Sequence, residues 1–305
     1  MKTESIEKAY AYAKERYAAV GVDTDRAIEL LKRTPISLHC WQADDVIGFE
    51  RNEALSGGIQ TTGNYPGRAR NMEEVRQDIL FVKSLLGGNQ RLNLHETYGD
   101  FGGKLVDRDQ VEVKHFQSWI DWAQENNMKL DFNSTSFSHP KSGNLSLANP
   151  DKGIRDFWIE HTKRCRKIAD AMGKAQGDPC IMNIWVHDGS KDLTVERMRY
   201  RQIMAESLDE ILAEKLDGVK NCLEAKLFGI GLESYTVGSH DFVAGYCATR
   251  KLMYTLDTGH YEQTENVSDM VASLFLFVPE LMLHVSRPVR WDSDHVTIMN
   301  DQTLY

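Results

Sequence analysis

Short apolar runs recur along the chain, each followed by a polar loop and then a segment with helical spacing. The runs lie at 36–40, 92–95, 130–133, 181–186, 222–227, 253–257 and 281–285. Between them, Met72, Val75, Ile79 and Val82 fall on one stripe of a helix over 72–86, the spacing that lets a helix bury one face. Similar spacing predicts helices over 113–126, 154–172, 194–216 and 264–277, and an amphipathic N-terminal helix at about 2–20. Strands alternating with helices imply right-handed crossovers and a parallel sheet.

Seven such units suit a closed barrel better than an open doubly wound sheet, since a (β/α)8 barrel takes about 250 residues. No run is followed by GxGxxG, the phosphate-binding turn of the open alternative. The expectation is an α/β fold, a (β/α)8 TIM-type barrel forming a single domain over 1–305.

Composition narrows the function. The 305 residues carry a net charge of −9, with 36 basic and 45 acidic side chains. That balance argues against a nucleic-acid binder, which needs clustered cations to displace counterions. The longest unbroken apolar run, 274–278, is far shorter than a membrane span. Five cysteines without a CxxC support neither a disulfide framework nor a zinc knuckle. The expected compartment is reducing and cytoplasmic.

Nearly every apolar run ends in polar chemistry: His39, His95, Asp131 and Asn133, Trp185, Glu224 with Lys226, Asp257 with His260, and His284. In a parallel barrel the carboxyl ends of the strands share one mouth, where sites form. These side chains are therefore expected to converge. Asp257-Thr-Gly-His260 can aim a carboxylate and an imidazole at one point across a turn, or form a hydrogen-bonded structural pair. Asp292 and Asp294, two residues apart, would lie side by side in extended chain. A divalent cation would cancel their repulsion; a solvated acidic turn is the plainer alternative. Glu224 and Lys226 are either a strand ion pair or a metal ligand beside a group aimed at a substrate oxygen. His284 is either a satisfied core residue or a ligand. Carboxylates and imidazoles without thiolate favour Mn²⁺, Co²⁺ or Mg²⁺ over structural zinc. The Gly-rich stretch 56–67 lacks the GK[ST] ending of a phosphate cradle and reads as a flap over the site.

The stretches HCWQADDVIGFE (39–50), GGIQTTGNYPGRAR (57–70), RLNLH (91–95), LDFN (130–133), MNIWVHDGSKD (182–192), KLFGIGLESYTVGSH (226–240), LDTGH (256–260) and LMLHVSRPVRWDSDHV (281–296) are long and specific. Over its whole length the chain resembles the L-rhamnose isomerase family, metal-dependent barrels of the xylose-isomerase-like group. The resemblance implies interconversion of L-rhamnose and L-rhamnulose by hydride shift between C1 and C2. It implies two divalent ions per subunit, Mn²⁺ preferred with Co²⁺, Mg²⁺ or Zn²⁺ as substitutes, and a homotetramer. Carried over by motif, Asp257 would bridge the ions. His260, Asp292 and Asp294 would hold the catalytic one, and Glu224 and His284 the structural one. Lys226 would polarise a substrate oxygen, and His95 and Trp185 would line the sugar site. Val46, Ile47 and Leu55, in the loop after the first strand, would form an apolar pocket for the methyl group of this 6-deoxy sugar.

Two departures stand out. His187 occupies a position where the family usually has Pro, with little effect expected. Family members also continue beyond the point matching Tyr305, so the eighth strand, a further Asp ligand and a helical tail are expected to be absent. That implies an open, aggregation-prone barrel with weak metal binding and slow turnover. The rival readings are a non-catalytic sugar- or metal-binding remnant and a metal-dependent endonuclease of similar fold, the latter disfavoured by charge.

Overall fold

The computed structural model describes residues 2–50, 67–192, 194–226, 234–262, 264–286 and 297–305. All seven apolar runs become strands: β1 Ile36–His39, β2 Gln90–His95, β3 Lys129–Asn133, β4 Cys180–Ile184, β6 Val219–Glu224, β8 Met253–Asp257 and β9 Leu281–His284. Two further short strands, β5 Gly189–Ser190 and β7 Tyr235–Thr236, pair antiparallel as a separate ribbon. The seven form one sheet in the order β1-β2-β3-β4-β6-β8-β9. Every neighbouring pair is parallel. Strand order follows chain order throughout, as successive right-handed crossovers dictate.

Burial follows position in the sheet. Every residue of β2 and β8 is buried, whereas β1 and β9 are only partly covered. Central strands covered on both faces read as continuous apolar runs for this reason. Among the described residues β1 and β9 do not pair with each other. The fold is thus α/β, a TIM-type barrel sheet of seven strands that is curled but open.

Helices pack along the outside, and a single turn, α3 Trp41–Asp44, follows β1. α4 Met72–Leu85 buries Val75 and Ile79, two residues of the stripe read from the sequence. The expected helix over 113–126 splits into a 3₁₀ turn, Val113–Phe116, and α5 Gln117–Glu125. α6 Lys152–Gln176 outruns its expected bounds because Asp151 caps the amides of Gly153 and Ile154 and Gly177 ends the helix at φ 63°. Gly173 on α6 is required by packing: a Cβ there would stand 1.7 Å from the Gly218 carbonyl oxygen. α7 Arg197–Leu212 and α9 Val267–Leu274 are shorter than their periodic segments, and α8 His240–Arg250 has no counterpart among the expected helices.

The N-terminal segment forms α1 Thr3–Ala18, followed by α2 Thr24–Arg33, and neither helix buries a residue. Its amphipathic face therefore stays exposed, with Ile6, Tyr12, Leu30 and Leu31 open to solvent. Within the longest apolar run, 274–278, Leu274 and Val278 are buried while Phe275, Leu276 and Phe277 between them are exposed.

Inside the curl, the amino ends of the strands are closed by charge. Arg91 forks onto Asp131 through Nε and Nη2, both at 2.8 Å, and Ser37 donates to the same carboxylate at 2.8 Å. All five cysteines are free and buried. No helix among the described residues is long and apolar enough to cross a membrane.

Candidate metal centre and sugar site

The carboxyl ends of β6, β8 and β9 bring three ligand-type side chains together. Glu224 ends β6, Asp257 ends β8 and His284 ends β9, with Asp257 and His284 directly paired in register. One ligand atom from each lies within 4.8 Å of the others. His284 Nδ1 is 3.3 Å from Glu224 Oε2 and 3.5 Å from Asp257 Oδ2. His260 joins from the turn after β8, its Nδ1 3.0 Å from Glu224 Oε1 and its Nε2 3.5 Å from Asp257 Oδ2. The turn is built by Asp257 itself, which accepts the Gly259 amide at 2.7 Å.

Neighbouring polar groups hold these side chains. Asn183, on β4, donates to Glu224 Oε2, and Thr255 donates to Asn183 Oδ1 at 2.9 Å. Asn183 was not among the residues singled out from the sequence. Its only signal there was its place two residues before Trp185 at the end of an apolar run.

Charge is unevenly distributed. Burial opposes ionisation of Glu224, yet the His284 and His260 imidazoles hold its carboxyl well below the usual range. Burial also opposes protonation of His284, but the carboxylates of Glu224 and Asp257 prevail and raise it to about 10. Two carboxylates and an imidazole around one point are a donor set for a divalent cation. In their present arrangement the second carboxylate is balanced by a proton on His284. His284 Nε2 is buried without a hydrogen-bond partner among the described residues.

A wall of rings continues from this cluster. The Lys226 ammonium sits 4.4 Å from the centroid of the Trp185 ring. Trp185 meets Phe137 edge to face at 5.4 Å, Phe137 meets Trp41 at 6.0 Å, and Trp41 stacks on His95 at 4.1 Å. His95 Nε2 is 3.2 Å from His39 Nε2, and His95 Nδ1 is 3.1 Å from Thr135 Oγ1. Burial, then the neighbouring histidines, holds the His95 imidazole well below its ordinary range, so it is neutral. Trp185 Nε1 is a buried donor without a partner among the described residues.

Of the sequence-singled residues, Glu224, Asp257, His260 and His284 meet directly, and Lys226, Trp185 and His95 line the adjoining wall. Val46 and Ile47 lie in the loop after β1. Val46 is buried with φ 66°, and the loop is tied down by Asp44, which accepts from the Gly48 amide at 2.7 Å and from the Tyr98 hydroxyl. Leu55, Asp292, Asp294 and most of the 56–67 flap lie outside the described residues. His187 does more than precede a loop: its Nε2 donates to the Gly143 carbonyl at 3.1 Å, and its Nδ1 lies 3.4 Å from Ser136 Oγ.

Comparison with known proteins places the chain in fold and family. In fold, the chain is similar to a D-allulose 3-epimerase from Methylomonas sp., with a TM-score of 0.51 at 14% identity, over 83% of this chain and 73% of that one. Relatives are far closer in sequence. The L-rhamnose isomerase of Bacteroides thetaiotaomicron is 68% identical over 304 residues, 99% of this chain and 73% of that protein. The L-rhamnose isomerase of Mannheimia succiniciproducens is 53% identical over 302 residues, 98% of this chain and 72% of that protein. The family model for L-rhamnose isomerase (RhaA) matches residues 4–304. With nearly every residue covered and a carboxylate–imidazole cluster at the strand ends, the chain belongs to the L-rhamnose isomerase family.

Proposed function

We propose that this chain is a metal-dependent aldose–ketose isomerase that interconverts L-rhamnose and L-rhamnulose. The observation that carries the reading is the meeting of Glu224, Asp257 and His284 beside a ring wall that ends in Lys226.

The cluster suits a divalent cation. Its donors are hard oxygens and imidazole, with His284 Nδ1 facing both carboxylates at 3.3 and 3.5 Å. Glu224, His284 and Asp257 would hold one ion. His260 and Asp257, with Asp292 and Asp294 from the following segment, would hold a second. Mn²⁺ fits this mixed set, and Co²⁺, Mg²⁺ or Zn²⁺ are substitutes. Bound ions would supply Lewis acidity toward two neighbouring sugar oxygens.

The chain's own groups do the rest. Reaction moves a hydrogen between C1 and C2 of the open-chain sugar, and one oxygen gains negative charge on the way. The Lys226 ammonium, held over Trp185, places positive charge there without needing to reorganise. The ring wall excludes water, and the unpartnered Trp185 Nε1–H can donate to a sugar hydroxyl. Neutral His95, its ring nitrogens engaged by His39 and Thr135 and its face stacked on Trp41, extends this wall without a competing charge. Val46, Ile47 and Leu55 would receive the C6 methyl, a contact worth about 1–3 kcal/mol of discrimination. Exchange of Leu55 for Ser should therefore shift preference from L-rhamnose toward L-mannose.

Two wider features belong to the same reading. A homotetramer is supported by the apolar side chains that α1 and α2 leave exposed. A cytoplasmic setting is supported by five free, unpatterned cysteines.

The test is incubation of the chain with L-rhamnose and Mn²⁺, with chromatographic detection of L-rhamnulose, before and after chelation. Ketose should form with the metal and cease without it. A protein with both ions bound that leaves L-rhamnose unchanged would defeat the assignment.

A further inference from the structure

Arg108 is completely buried, and every group its guanidinium binds belongs to a segment that carries a residue of the site or of its ring wall. Its Nη1 donates to the Thr135 carbonyl at 2.7 Å and the Phe137 carbonyl at 2.6 Å. Its Nε and Nη2 fork onto Glu50 at 3.1 and 2.9 Å. Its Nε also lies 3.5 Å from Glu96 Oε2. Glu96 follows His95 directly, Glu50 lies in the loop that begins at Trp41, and Phe137 stands between Trp41 and Trp185.

His161, from α6, completes the grip. Its Nδ1 is 3.0 Å from the Arg108 carbonyl oxygen, and its Nε2 accepts the Thr135 amide at 3.2 Å. A neutral ring with its proton on Nδ1 satisfies both. Thr135 is thus held at its N–H by His161 and at its C=O by Arg108, while its hydroxyl meets His95 Nδ1.

The His95 tautomer follows. The Trp41 amide donates to His39 Nδ1 at 3.3 Å, so neutral His39 carries its proton on Nε2. That proton points at His95 Nε2, 3.2 Å away. His95 Nε2 therefore accepts, and His95 Nδ1–H donates to Thr135 Oγ1.

We propose that Arg108 is a positioning residue of the sugar site, which fixes the Thr135–Phe137 segment and, through the Thr135 hydroxyl, the orientation of the His95 ring whose tautomer His39 selects. A buried ion cluster is an inefficient way to gain stability, since apolar packing of the same volume serves as well. Its fork does give directional control over three loops at once, which apolar packing does not. This rests on the isomerase reading only for its kinetic consequence; the tautomer is independent of it.

The experiment compares Arg108→Lys, Thr135→Val and the double variant. Lysine keeps the charge and loses the fork. Thr135→Val removes only the hydroxyl and leaves the ion cluster intact, so it decides the matter even if Arg108→Lys fails to fold. Two readouts are taken: ¹⁵N-histidine NMR for the His95 tautomer, and kcat and KM for L-rhamnose. In the wild-type chain His95 should be the Nδ1–H tautomer. Each single variant should keep that tautomer, which His39 imposes, but lose the hydrogen-bond shift that the Thr135 hydroxyl gives the His95 Nδ1–H signal, and should lower kcat/KM by about 100-fold; the double variant should be no worse than the poorer single one. Unchanged His95 signals in folded Arg108→Lys or in Thr135→Val, or multiplicative losses in the double variant, would overturn the proposal. A wild-type chain inert toward L-rhamnose, but with a His95 Nδ1–H signal that shifts in both single variants, would defeat the isomerase reading and leave this one standing.

Discussion

His39 and His284 stand edge to face with ring centroids 6.5 Å apart, although they end β1 and β9, the two outermost strands of the sheet. The curl that a right-handed twist builds into successive parallel strands brings them together across the mouth without any strand pairing. Their environments drive them apart chemically. Burial, with the charge of His284 adding to it, takes His39 down to about 3, whereas the carboxylates beside His284 overcome burial and hold it up at about 10. One imidazole is neutral and the other protonated across the whole neutral range.

A proton on His284 must leave before that nitrogen can ligate a metal. Mn²⁺ binding near pH 7 should therefore release about one proton. The apparent affinity should rise about tenfold per pH unit while His284 remains protonated in the free chain. Calorimetric titrations in two buffers of different ionisation enthalpy measure the proton count directly. Binding with no proton release at pH 7 would contradict the charge state assigned to His284.

Asn183 makes a second prediction. Its amide orients Glu224 and is itself fixed by Thr255. Groups that orient a metal ligand in this way matter by about 10- to 100-fold in affinity. Asn183→Ala should weaken Mn²⁺ binding by that factor, with the sheet intact by circular dichroism. Wild-type affinity in Asn183→Ala would mean that Glu224 is positioned by its strand alone.

The fold was legible because its elements repeat. Each strand of the main sheet is a short apolar run, and each crossover helix carries a stripe, so the seven strands of that sheet and most helices follow from local periodicity, whereas the two-residue strands β5 and β7 do not. The ligand-type side chains were legible because they end strands, and strand ends of a parallel sheet converge. The supporting groups were less so. Asn183, Thr255, Arg108 and His161 act through partners 26 to 72 positions away, and no local pattern distinguishes them from ordinary polar residues. The α1 amphipathic pattern was read correctly as a helix, but periodicity does not say whether an apolar face finds a partner, and this one is exposed. The split of 113–126 has the same origin: spacing near three residues fits a 3₁₀ turn and an α-helix alike.

His161 allows a test of the buried hub by acid. Burial, reinforced by the charge of Arg108, lowers its pKa to about 3. The unfolded chain binds a proton there below about 6.5, and the folded chain does not until about 3. The stability this neutral imidazole allows is therefore complete above about 6.5 and falls away as pH drops toward the folded value. Its share of the slope is about 1.4 kcal/mol per pH unit. His161→Gln, whose amide can both accept from Thr135 and donate to Arg108, should flatten urea-unfolding stability against pH between 4 and 6 by about that slope. Parallel stability curves for the two proteins would show that His161 is not neutral in the folded state.

The last prediction concerns the number of ions. Glu224, Asp257, His260 and His284 form one compact set, and a single divalent cation would be satisfied with those four plus water. A second ion needs further negative charge, because each bound cation otherwise repels the next. Asp292 and Asp294 are two residues apart in the segment that directly follows β9, which places them in sequence near enough to return to the mouth that His284 already occupies. If they hold the second ion with His260 and Asp257, replacing both by Asn removes two charges from that site and none from the first. Amide oxygens are neutral and offset little of the cost of stripping water from a hard cation. Asp292→Asn/Asp294→Asn should therefore bind one Mn²⁺ where the unaltered chain binds two, and the remaining ion should keep its affinity within a few-fold. Equilibrium dialysis with metal analysis reads the stoichiometry without reference to turnover. Two tightly bound ions in the double variant would assign the second site to other ligands.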